Sequence, residues 1–221
     1  PRPRLQPVWG VLRVGGMSTV VSSTTNITLA ILTGYVGLQG VAAVAGYGAG
    51  ARLEFLLVPL TYGIGGPAAI LIGTSIGAGQ SRRALQTAWI AIALGTLTAE
   101  AIGIAAALFP LQWLGAFTTD PVALAIGADY LRTTGPFFGF FGLGYALYCA
   151  GQGAGRMEWP VAGAVVRAVI AIGGGLLVVH TGGGLGGIFL AAGLGMAAFG
   201  LIGLCGLLLR VGYGKEKTGL N

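Results

Sequence analysis

The stretch "GYGAGARLEFLLVPLTYGIGG" (Gly46–Gly66) decides how the chain is read. Every residue in it except Arg52 and Glu54 is uncharged, and no other charge occurs between Arg13 and Arg82. The run is continuous rather than alternating, which is the pattern of a buried helix and not of a half-exposed strand. It is also long enough to cross a bilayer core of ~30 Å, which takes ~20 helical residues. Two opposite charges inside such a run are costly and by default functional.

Composition extends this reading to the whole chain of 221 residues. Hydrophobic types make up 55% and charged types 8%, against ~25% charged in soluble domains. That is too little charge to cover a water-facing surface, and the mean hydropathy of +0.85 agrees. The chain reads as an integral membrane protein. The 43 glycines show no Gly-X-Y period, which excludes collagen. They suit membrane helices, whose backbones approach closely through small residues. Cys149 and Cys205 lie in apolar runs without metal-ligand spacing and read as buried apolar side chains.

Six spans are expected, near Val14–Val36, Val41–Ile76, Ala84–Phe109, Pro121–Ala150, Trp159–His180 and Leu185–Leu209. The fold class is all-α, a polytopic membrane helix bundle of six transmembrane helices. Residues 1–13 form an N-terminal segment, 14–210 the helical unit and 211–221 a C-terminal tail. Arg2, Arg4, Arg13, Arg82, Arg83, Arg156, Arg210, Lys215 and Lys217 fall at the termini and in alternate connections. The other connections, Gly37–Gly40, Pro110–Pro121 and His180–Gly184, contain no Lys or Arg. This positive-inside pattern places both termini in the cytoplasm, with the plasma (inner) membrane as the location. It also accounts for the net charge of +6 without a nucleic-acid partner. The second span holds Pro59 and Pro67 and the fourth Gly135-Pro136, so both are expected to bend.

Several motifs carry little. "GYGAGA" and "GQGAGR" are not set in a strand–turn–helix unit, so they are not nucleotide loops. The pairs Gly46/Gly50, Gly73/Gly77, Gly135/Gly139 and Gly151/Gly155 read as close helix contacts. His180 reads as a solvated loop residue. No nucleophile–base pair or metal-ligand cluster appears, so the chain is not expected to be an enzyme and no cofactor is implied. Ser22 to Asn26 form a polar belt in the first span. The hydroxyls can bond back to their own helix, whereas the amide of Asn26 is expected to face the bundle or a cavity.

The intramembrane charges are Arg52, Glu54, Glu100, Asp129, Arg132 and Arg167. Counted from the inner arginines at ~1.5 Å per residue, Glu54 lies about 40 Å away, Glu100 about 26 Å and Arg167 about 16 Å. Arg52 and Glu54 are then near the outer interface, and Arg167 is close to mid-membrane. Asp129 and Arg132, three apart, are expected to pair locally. Arg167 has no acid in its own span and needs a partner from another helix. Arg52 and Glu54, two apart, point to nearly opposite sides and cannot pair with each other. Glu54 can form a cross-helix ion pair, carry a coupling cation or proton, or be solvated at the interface.

The segment "AAVAGYGAGARLEFLLVPLTYGIGGPAAILIGTSIGAGQSRRA" (Ala42–Ala84) resembles the second helix of a lobe in the multidrug and toxic compound extrusion (MATE) family. The likeness rests on its Gly-rich start, the Arg-x-Glu pair, the Pro/Gly bend and "GAGQ" before a basic loop. "FTTDPVALAIGADYLRTTGPF" (Phe117–Phe137) and "GQGAGR" (Gly151–Arg156) fall where the family has similar stretches. The resemblance implies one lobe of a twelve-helix, two-lobe transporter, the C-terminal lobe, with the N-terminal lobe absent from this sequence. The opening Pro1-Arg2-Pro3-Arg4, without an initiator Met, fits a piece of a longer chain. It further implies export of cationic or amphipathic compounds in exchange for H⁺ or Na⁺ by alternating access. Glu54 and Glu100 are then the candidate coupling groups; Arg52 and Arg167 are intramembrane charge partners, each with its own counterpart to find. Thr25, Asn26, Tyr62 and Tyr145 are candidate lining of the substrate cavity. An acid that some members carry in the first helix of this lobe would fall at Asn26. A lipid-linked sugar flippase of the same broad fold, favoured by Arg52, Arg132 and Arg167, and a non-transporting membrane scaffold subunit are the alternatives.

Overall fold

The computed structural model describes residues 5–218, with the side chains of residue 10 and of residues 12–209. Arg2 and Arg4, and the side chains of Arg210, Lys215 and Lys217, lie outside the described residues, so part of the charge ladder is not seen. Among the described residues there are helices and turns and no strand. The helices are α1 (Leu5–Gly37), α2 (Val41–Gly77), α3 (Ser81–Leu108), α4 (Pro110–Leu114), α5 (Pro121–Thr134), α6 (Phe138–Ala154), α7 (Glu158–His180) and α8 (Leu185–Thr218). The first and last helices overrun the expected boundaries at residues 13 and 210.

Helices α2, α3, α7 and the Leu185–Leu209 part of α8 are long and apolar enough to cross a membrane. The hydroxyl-rich α1 supplies another long helix. The fourth expected span is not one bent helix. It is broken into α5 and α6 by a 3-10 turn at Gly135–Phe137, because Pro136 lacks the N–H that a continuous helix needs. Pro59 and Pro67 stay inside a continuous α2. Ile70, Leu97, Val169 and Leu177 are more than 60% exposed along these helices, a surface that suits lipid and not water.

Helix α6 packs on α2, α3 and α8; α5 packs on α2; α1 docks mainly on α7. Small residues set these distances. A Cβ on Gly135 would lie 2.5 Å from the carbonyl oxygen of Gly103, and one on Gly73 would lie 3.0 Å from that of Gly153. Of the four expected glycine pairs, Gly77 and Gly155 touch nothing across a helix contact. Gly155 instead ends α6 with φ +65, and Arg156 N then donates to Gly151 O at 2.8 Å. That is a Schellman-type stop, which sends the chain into α7. At the other end Asp120 caps α5, its carboxylate accepting from Val122 N at 3.1 Å ahead of Pro121.

Candidate functional site

Gly46, Gly50 and Glu54 are spaced by four on α2 and share one face. The first two lack a Cβ, so α5 comes in against that face. The Ala123 carbonyl lies over Gly46, and a Cβ on Gly50 would be 2.5 Å from the Tyr130 ring. Gly127 likewise meets the Gly46 carbonyl, and Tyr130 follows it by three residues on the same side of α5. The Tyr130 hydroxyl thereby reaches Glu54 and donates to its Oε2 at 3.0 Å. The Tyr130 ring is held edge-on by Tyr47 and Phe189, with centroids 5.1 and 5.2 Å away.

Helix α7 has the matching construction. Gly163, Arg167, Ala171 and Gly175 form one small-residue face turned into the bundle. From it Arg167 Nη2 donates to Glu54 Oε1 at 2.5 Å. Both residues are buried, each 8% exposed. The guanidinium also lies 5.0 Å from the centre of the Phe141 ring of α6. Two partners thus fill the two oxygens of one carboxylate, one positively charged and one a neutral phenol.

Two cavities meet at this pair. The smaller, about 20 Å³, is lined by Glu54, Tyr47, Tyr130, Thr25, Thr28 and Arg167 among others, and has room for about one water. The larger, about 230 Å³, runs between α1, α2, α6, α7 and α8, with Asn26, Phe55, Tyr145, Tyr148 and Phe199 in its wall. Thr25, Phe55, Val58, Phe141 and Arg167 border both. Near the larger cavity Gln152 Nε2 donates to Ser18 Oγ at 3.0 Å and to the Tyr148 hydroxyl at 2.8 Å, tying α6 to α1.

The cross-helix partner that Arg167 needs is therefore Glu54, and the depth expected for Glu54 is corrected. Glu54 stands thirteen residues after Val41 and Arg167 thirteen before His180. Counted from those ends, both lie about 20 Å in. The inner-end count failed because α2 runs on for 23 residues beyond Glu54, whereas only nine separate Glu158 from Arg167. The Gly77 end of α2 and the Glu158 end of α7 are not level references.

Arg52 has no carboxylate partner among the described residues. It is exposed, two residues out of phase with Glu54, and its guanidinium sits 4.9 Å over the Phe117 ring. Phe117 in turn leans on Trp113, whose indole donates to Ala49 O at 3.0 Å. Asp129 and Arg132 do not form the expected ion pair: both are exposed, and neither is forced by burial to find a counter-charge. Glu100 is half-buried, away from both cavities, and its Oε2 accepts from Gly139 N at 2.7 Å. It caps the start of α6 just after the break, where an N–H has lost its helical acceptor.

Of the residues expected in the cavity, Thr25 lines both spaces and donates to Val21 O at 3.0 Å. Asn26 is exposed at the edge of the larger one, its amide donating to Ser22 O at 2.9 Å. Tyr145 lines the larger cavity beside Phe141 and Tyr148. Tyr62 lines neither: it is 50% exposed, with its ring over Gly66. His180 is exposed, as expected, but it is the last residue of α7 and not a loop residue, its ring nitrogen 3.2 Å from Leu176 O. Tyr47, Tyr130 and Phe141 are the site residues that sequence reading missed. The available signal was the four-residue spacing of Gly46, Gly50 and Glu54, which marks the close-contact face of α2.

Comparison with known proteins decides the family. The MatE family model matches residues 17–177. The chain belongs to the MatE family. Solved structures agree on the fold. A MATE in the bent conformation superposes with TM-score 0.88 at 20% identity, covering 100% of this chain and 49% of that one. The outward-facing conformation of a multidrug resistance MATE family transporter of the MOP superfamily gives 0.87 at 21%, covering 97% and 49%. A MOP superfamily transporter from Pyrococcus furiosus gives 0.86 at 21%, covering 95% and 48%. The MatE chain thus spans about half the length of each, roughly one lobe. No curated protein matches it. It is a transporter-family integral membrane protein, not an enzyme-family chain.

Proposed function

We propose that this MatE chain is the C-terminal half of a secondary active exporter. It moves cationic or amphipathic compounds by alternating access, in exchange for H⁺, with Glu54 as the coupling carboxylate of this lobe. The observation that carries the reading is the buried Glu54–Arg167 pair at the junction of two cavities. Protonating Glu54 removes the charge that holds Arg167, the direct link between α2 and α7. An uncompensated buried guanidinium is unstable, so the lobe has a physical reason to rearrange. The guanidinium beside Glu54 repels a metal cation, whereas a proton needs only the carboxylate. This favours H⁺ over Na⁺.

Two features support a second lobe. The matched transporters are about twice as long as this chain. Ser18, Ser22 and Asn26, spaced by four on α1, form a polar stripe with Thr19 and Ser23 on an open face. Such a stripe suits a water-filled cleft and not lipid. One matched structure is described as a multidrug resistance transporter, which fits an aromatic-walled cavity. The flippase alternative loses support, since Arg52 and Arg132 are exposed and line neither cavity.

The test is Glu54→Gln in the complete protein, reconstituted in liposomes with an imposed pH gradient and a fluorescent amphipathic dye. Gradient-driven efflux is expected to be lost while the protein remains folded. Undiminished efflux would remove Glu54 from the coupling step.

A further inference from the structure

A further open space lies at the end of the bundle where α2 leads into α3 and α6 into α7. It measures about 340 Å³ and shares no lining residue with the cavities at Glu54. Helix α6 packs on both α3 and α8, and the groove runs along it between them. Ile72, Ala88, Leu147 and Leu207 make its length apolar. Arg156, in the connection after α6, is the one charged residue of the lining, and Trp159 lines it nearby. No residue of α1 contributes, so the groove is not part of the polar stripe on that helix.

The charge at this end is one-sided. Arg82 and Arg83 follow Ser81, which lines the groove and opens α3. These two arginines and Arg156 are all exposed, and among the described residues none of the three forms an ion pair. The acid described at this end is Glu158, and its Oε1 lies 3.4 Å from Arg13 Nη2. The Trp159 ring rests on Gly206 of α8, where a Cβ would strike it, and remains 36% exposed. An indole with one part in an apolar groove and another beside charged groups is the residue of a membrane interface.

We propose that this groove is a binding site for an anionic glycerophospholipid. Its phosphate meets Arg156, with Arg82 and Arg83 adding to the positive field, and one acyl chain lies along the apolar length between α3 and α8. A basic pocket between membrane helices at the positively charged side is the setting in which acidic lipid heads are held. The guanidinium fork matches phosphate oxygens. A free phosphate would satisfy the arginines and leave the apolar groove unfilled. A zwitterionic lipid would fill the groove but bring its own cation to the arginines. The anionic lipid answers both halves of the site. Bound there, it bridges α3 and α8 and stabilises the bundle by mass action.

The test uses the complete protein in a neutral detergent, mixed with equal amounts of phosphatidylglycerol and phosphatidylcholine of the same chain length. Bound lipid is counted by the mass of the intact complex. Phosphatidylglycerol is expected to be retained over phosphatidylcholine by about tenfold or more, and Arg156→Gln to lower its retention about fivefold. The triple variant Arg82→Gln, Arg83→Gln, Arg156→Gln is expected to bring the two lipids close to parity. Arg156→Lys should keep most of the preference. Arg132→Gln, at an exposed arginine of α5 outside the groove, should keep all of it. These positions are exposed, so the lipid-free unfolding midpoint of each variant is expected to match the parent. Inorganic phosphate in excess should not displace the lipid. The proposal is overturned if phosphatidylcholine is retained equally, if the triple variant holds as much phosphatidylglycerol as the parent, if Arg132→Gln lowers retention as much as Arg156→Gln, or if inorganic phosphate displaces the lipid.

Discussion

Among the described residues two carboxylates sit inside the helical bundle, and they are used in opposite ways. Glu54 gives both oxygens to side chains from other helices, a guanidinium and a phenol, at the edge of two cavities. Glu100 gives an oxygen to a backbone N–H at the start of α6, away from those cavities. The first depends on a charged partner from another helix. The second mends a helix broken at Gly135–Phe137. Position in a span does not separate them; the partner does. A carboxylate that caps a helix start is held by local geometry, whereas one that joins distant helices can hold or release them.

The largest expected break in this comparison comes from Arg167→Leu in the complete protein. It leaves Glu54 buried without its cation, at a cost of about 3–5 kcal/mol, read as a lowered unfolding midpoint in detergent. Adding Glu54→Leu should restore most of that loss; a double variant as unstable as the single one would show that the pair's charge is not the cause. Gly50→Ala comes next. Its Cβ meets Tyr130 at 2.5 Å, so α5 must shift from α2, costing about 1–3 kcal/mol and weakening the Tyr130–Glu54 contact. An unchanged midpoint would mean that the ring moves freely.

The smallest effect belongs to Glu100→Ala, which removes the cap of α6 for about 1–2 kcal/mol. Glu100→Gln should lose less, and both should keep proton-driven efflux in the complete protein. If Glu100→Gln uncoupled transport and Glu54→Gln did not, the assignment of the two carboxylates would be reversed.

Much of this was legible in the chain. Apolar run length and the scarcity of charge specified a membrane helix bundle, and Gly135-Pro136 marked where the fourth span gives way. The need of Arg167 for a partner on another helix followed from the cost of burying a charge. Its identity did not, because depth was counted along α2 from an end that extends far past the site. The roles of Glu100 and Arg52 were hidden for a related reason. A backbone N–H freed by a helix break, and a ring presented by the connection after α4, carry no mark in the sequence near the residues they serve.

By itself the sequence determined the helices, the face of α2 that carries Gly46, Gly50 and Glu54, and the face of α7 that carries Arg167, since helical periodicity is local. Only the tertiary structure decided that those faces meet across α5 and α6, and that one acid pairs while the other caps. Such choices depend on which helix ends are level and which backbones approach, and those are properties of the packed bundle.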